Sequence, residues 1–226
     1  MRWLCVMGIA LGMGTLGLAQ DRMPKIPEDK LTEAQRKASE ERRAEQKSRA
    51  EACKDPRMDA AKCTPEFFEV HGPMVALLRS PGVMSASNPL INYVEFKTSL
   101  PPRIKELVIL IAAREWSQQY VWNSHYKSAM NQGLNPETAK AVAEGRRPTG
   151  MTEDEEATYD FCAELHKNRG VSDATYGRAL ARFKEEGIID MVSVDAAYSY
   201  LSMVMNVART PLPKNASAPP LPVLPN

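Results

Sequence analysis

Arg103-Ile-Lys-Glu-Leu-Val-Ile-Leu-Ile-Ala-Ala-Arg-Glu-Trp116, followed shortly by Gln119-Tyr-Val-Trp-Asn-Ser-His-Tyr126, decides the fold. Pro101-Pro102 opens a helix through about Trp116, because proline is well placed in a first helical turn. A second helix runs from about Gln118 to Gln132, and Gly133 supplies its C-cap. A turn near Glu115–Ser117 makes the two a helical hairpin. Glu106 shares a face with Ile109, Leu110 and Ala113, so its carboxylate points toward apolar surroundings. Burying a carboxylate is costly unless it is hydrogen-bonded or paired. Glu106 is therefore either a structural partner or a tuned acid/base. His125 has Trp122, Val121 and Ala129 as helical neighbours and is either a satisfied core histidine or half of a proton-transfer pair with Glu106.

The same punctuation extends outward. Phe67, Phe68, Val70, Met74, Leu77 and Leu78 recur at helical spacing up to Ser80-Pro81-Gly82, which reads as a stop. Asn88-Pro89 reads as an N-cap and first-turn proline opening a helix through about Thr98. Asn135-Pro136 begins a short helix to about Glu144. Thr152-Glu153-Asp154-Glu155 is a capping box leading a helix with Phe161, Cys162 and Leu165 inward. Ser172-Asp173 caps a further helix to Gly187, and the last spans about Ile188 to Ala208. No alternating run is long enough for a strand. The expected fold is an all-α helical bundle.

The ends differ from this centre. Residues 1–19 carry one early cation, Arg2, an uncharged run from Trp3 to Leu18, and small residues Gly17 and Ala19 before Gln20. This is the pattern of a signal peptide, which predicts an exported chain, periplasmic or secreted, that has shed Cys5. No later apolar run reaches the ~20 residues of a bilayer span. Residues 20–65 are rich in both charges, and Thr32-Glu33-Ala34-Gln35 can cap a helix. Lacking an apolar stripe, that segment reads as a solvated, marginal helix or disordered spacer. Cys53 and Cys63, with nine residues between them, fit a disulfide in an oxidising compartment better than a metal pair, since no histidine or second cysteine pair lies nearby. A folded domain is expected over 66–212, and the proline-rich residues 213–226 read as an extended, disordered tail. The whole chain has 29 Lys+Arg and 28 Asp+Glu, no basic excess of the kind that nucleic acid attracts.

Glu106 and His125 lie nineteen positions apart with Gly133-Leu134 downstream, accompanied by Leu100-Pro101-Pro102-Arg103, Ala113-Arg114-Glu115-Trp116 and Val171-Ser172-Asp173-Ala174-Thr175. Taken in order, these phrases resemble the carboxymuconolactone decarboxylase-like family of the alkyl hydroperoxidase D-like superfamily, from about Glu66 to Pro213. The superfamily's peroxidases carry a C-x-x-C pair before the histidine. Its two positions fall here on Gln119 and Trp122, which form neither a sulfenic acid nor a disulfide. Cys162, without a resolving thiol beside it, reads as a buried helix residue.

The resemblance therefore implies the decarboxylase-like branch: chemistry without a cofactor on a small carboxylated or lactone substrate. His125 would be the acid/base and Glu106 would orient it or share its proton. Trp122 and Tyr120 would wall the pocket, Arg114 would hold an anion, and Tyr126 would offer a phenolic donor. It also implies a homo-oligomer, trimer or hexamer. Peroxiredoxin-like antioxidant activity and a non-catalytic oligomeric binding protein are the other readings. His71 and His166 have no comparable context, and three scattered histidines do not form a metal site.

Overall fold

The computed structural model describes residues 20–47, 54 and 70–224. The leader and the Cys53/Cys63 pair lie outside the described residues. Among those described there are eight α-helices and no strand: α1 (Glu33–Lys47), α2 (Pro73–Leu77), α3 (Pro81–Phe96), α4 (Pro102–Glu115), α5 (Gln119–Asn131), α6 (Pro136–Ala143), α7 (Glu153–Asn168) and α8 (Asp173–Ala208).

Helix α4 is the axis of the bundle. Ile104 and every residue from Glu106 to Arg114 are buried, because α5, α6, α7 and α8 all pack around it. The α4–α5 hairpin forms as the spacing predicts. Ser117 takes a left-handed turn (φ 48°), and the Gln118 side chain caps α5 by accepting from Tyr120 N at 2.7 Å. Gln118 also donates to Asn206 Oδ1, while Asn206 donates to Trp116 O, both at 2.8 Å, which ties the turn to α8. Gly133 ends α5 at φ 82°, a conformation L-residues rarely adopt. The Thr152–Glu155 capping box is fully formed.

Five expectations need correction. Pro81 starts α3 rather than ending an element, and α3 continues through Pro89. The continuity has a physical basis: Met84, Asn88, Ile91 and Val94 form one buried stripe that packing rewards beyond the lost backbone bond. The break in the last long helix falls at Lys184 (φ 61°, ψ 179°), not at Gly187. Gly187 serves close packing instead, since a Cβ there would sit 2.6 Å from Phe183 Cβ.

The charged segment is not simply solvated. Helix α1 lies against α3 with Ala38, Ser39 and Arg42 buried, and Arg42 donates to Asn88 Oδ1 at 3.2 Å. Short apolar and long amphipathic side chains suffice for this contact, although no full apolar stripe exists. The proline-rich tail is extended, as expected, but it is docked on α5, with Leu221 only 5% exposed. Helix α8 is the one described helix long and apolar enough to cross a bilayer, and 61% of its apolar window is buried within the bundle.

Candidate active site

The hairpin brings Glu106 and His125 together inside the core. Glu106 Oε2 lies 2.9 Å from His125 Nδ1, and Ser128 Oγ donates to Glu106 Oε1 at 2.9 Å. Ser128 is three residues beyond His125 on α5, so one helix supplies both partners of the carboxylate. Glu106 is 2% exposed and His125 6%. Holding this buried carboxylate by two hydrogen bonds offsets its desolvation.

His125 lines a partly open cavity of about 90 Å³. Tyr120, Val121 and Ser124 of α5 line it too, a single helical stripe. The facing walls are Arg42 of α1, His71, Glu95 and Phe96 at the end of α3, and Tyr198 and Leu201 of α8. Tyr198 meets the imidazole edge-on, with ring centroids 4.7 Å apart and planes at 81°, and its hydroxyl donates to Glu95 Oε2. The cavity thus combines an apolar lining with one guanidinium, one carboxylate, two imidazoles and two phenols. Burial raises the pKa of the Tyr120 phenol.

The other residues singled out by the sequence lie elsewhere. Trp122 is 1% exposed and faces away from the cavity, its Nε1 donating to Pro219 O at 2.8 Å. Tyr126 stands beside Trp122, centroids 5.8 Å apart, outside the cavity lining. Arg114 does not reach the cavity. It donates to Ala143 O (3.0 Å), Pro222 O (2.8 Å) and Ser117 Oγ (2.6 Å), and burial lowers its pKa. Its position at the end of α4, on the side away from the cavity, gives it carbonyls to satisfy instead of a ligand.

Arg42, His71, Glu95 and Tyr198 were not legible as site residues. A signal existed for Glu95, the sole charged residue between Pro81 and Phe96. His166 also has a context: its Nε2 pairs with Asp195 of α8 at 2.9 Å, which raises the imidazole pKa against the effect of burial. Cys162 is fully buried, and burial, with Asp195 adding to it, pushes its thiol pKa well above 9.0. No cluster of His, Cys, Asp and Glu able to hold a metal occurs among the described residues.

Residues 81–166 match the model of the carboxymuconolactone decarboxylase family. The matched segment is 86 residues long, under half of the chain. It holds α3 to most of α7, including both Glu106 and His125. Among solved structures, the chain is similar to an Agrobacterium tumefaciens protein of unknown function named as a candidate antioxidant defence protein AhpD. The identity is 22%, with 61% of this chain and 94% of that one covered and a TM-score of 0.54. It is also similar to a debrominase, Bmp8, with a cysteine replaced by alanine and bound to 2,3,4-tribromopyrrole. There the identity is 14%, the coverage 71% and 85%, and the TM-score 0.55. Both likenesses show a shared all-α fold. No curated protein matches the sequence.

Proposed function

We propose that the chain is an exported enzyme that moves a proton to or from a small carboxylated or lactone compound, without a cofactor, using His125 and Glu106. The observation that carries this reading is the 2.9 Å contact between their side chains at the wall of a cavity. Glu106 engages Nδ1, which fixes the ring and leaves proton exchange with a bound molecule to Nε2. Arg42, not Arg114, takes the anion-holding role, with Glu95 and Tyr198 opposite as further polar contacts.

Size narrows the substrate. An apolar cavity of ~150 Å³ holds benzene; at about 90 Å³ this one takes only the reacting end of such a molecule, the remainder lying in the mouth. Thiol peroxidase chemistry has no support at the site: positions 119 and 122 are Gln and Trp, and Cys162 is sealed in the core. Export rests on the leader-like residues 1–19. Self-association into a trimer or hexamer is part of the proposal. Leu90 and Tyr93 of α3 and Ile189 and Val192 of α8 are exposed, and a hydrogen bond from Tyr93 to Asp190 joins the two helices there.

The test is turnover of a panel of small lactones, oxo-acids and halogenated pyrroles. His125→Ala and Glu106→Gln should lower kcat/KM by roughly 10²–10⁴-fold with the helical circular dichroism intact, while Arg42→Ala should mainly raise KM. Unchanged turnover in His125→Ala overturns the proposal. Saturable binding with no turnover of any compound supports the non-catalytic reading in its place.

A further inference from the structure

The outer face of α5 is occupied by the chain's own tail, and the contacts are specific for extended backbone. Asn123 Oδ1 accepts from two successive amides, Ser217 N (3.0 Å) and Ala218 N (3.1 Å). Trp122 Nε1 donates to Pro219 O. Gln119 pairs with Leu221 in both directions, Nε2 to the carbonyl at 2.9 Å and Oε1 from the amide at 3.1 Å, as a neighbouring strand would. Arg114 continues the row to Pro222 O. Three of these four side chains come from five consecutive residues.

The side-chain readout is equally defined. Leu221 is buried, whereas its neighbours Pro220, Pro222 and Val223 are exposed. Prolines at 219, 220 and 222 hold the segment extended before it docks, which lowers the ordering cost. A groove of about 780 Å³ runs beside the tail, between Ile111, Val142 and Tyr159 and residues Leu221–Leu224, so the segment lies across an open surface and is not sealed into the core.

We infer that Arg114, Gln119, Trp122 and Asn123 form a peptide-recognition site for an extended proline-rich segment with a leucine anchor. The tail fills it in cis, and the same segment supplied in trans can replace it. This recognition is independent of what reacts in the His125 cavity, which α5 presents on its other face.

The experiment uses the full chain and a synthetic peptide with the sequence of residues 214–224. Leu221→Asp in the protein should disengage the tail, read as faster hydrogen exchange at the amides of Ser217, Ala218 and Leu221. The peptide should then bind this variant at least about tenfold more tightly than the unaltered chain, where the cis tail competes at an effective concentration in the millimolar range. Adding Gln119→Ala and Asn123→Ala to Leu221→Asp should abolish that binding. Three results overturn the inference: amide protection unchanged by Leu221→Asp, no peptide binding to the disengaged chain, or equal binding after the two clamp side chains are removed.

Discussion

Glu106→Ala is the substitution from which the structure predicts most. It removes two hydrogen bonds of 2.9 Å, one shared with His125 Nδ1 and one from Ser128 Oγ, at a residue 2% exposed. Each orphaned polar group costs about 1–3 kcal/mol when water cannot replace its partner. Together they give about 2–6 kcal/mol, which brackets the ~3–5 kcal/mol expected for breaking one side of a buried pair. For a domain of this size each kcal/mol lowers Tm by about 2–4 °C, so a fall of roughly 6–20 °C is expected. Glu106→Gln keeps the shape and one acceptor and should cost about 1–3 kcal/mol. Urea unfolding of Glu106→Ala, His125→Ala and the double variant should yield a coupling energy of about 1.5–3 kcal/mol. A coupling below about 0.5 kcal/mol would show that the two groups do not share a hydrogen bond in solution, and the proposed relay would fail with it.

Further outcomes follow from other sites. The Asp195 hydrogen bond holds the His166 pKa above its usual 6.5, so the stabilisation it gives is complete below that value and is lost as pH rises through the higher folded-state pKa. Unfolding free energy should therefore decline as pH rises above about 6.5, and His166→Gln should flatten the decline; an equal slope in the variant would refute it. Cys162 should resist alkylation in the folded chain and react only on unfolding, as peptide mass spectrometry can follow; rapid labelling under native conditions would contradict its burial. Gly145→Ala forces a methyl to within 2.8 Å of Leu224 at a backbone φ of 70°. It should cost about 1–3 kcal/mol and raise exchange at the tail amides, whereas a purely local strain would leave the tail protected.

The helices around the site were readable because their caps and breaks are chemical. Asn135 caps α6, Thr152 caps α7 and Ser172 caps α8, each by accepting from a backbone amide as the sequence motif requires. Glu106 and His125 were legible from one fact, a polar group on an apolar helical face. The remaining walls were hidden for a different reason. Arg42 lies in a segment whose composition suits solvent, and only α3 gives it a buried place through Asn88. Tyr198 looks like any aromatic in an apolar helix until Glu95 arrives from 103 residues away. Trp122 and Arg114 misled because helical spacing defines a stripe but not which neighbour covers it. The tail that covers them is distant in sequence and carries no periodic signal of its own.

The family match spans residues 81–166, yet the chamber around His125 is closed by Arg42 and His71 upstream of that span and by Tyr198 and Leu201 downstream of it. The matched span thus carries the Glu106–His125 contact but only part of the walls around it. A version trimmed to the matched span would keep that contact and lose those four walls.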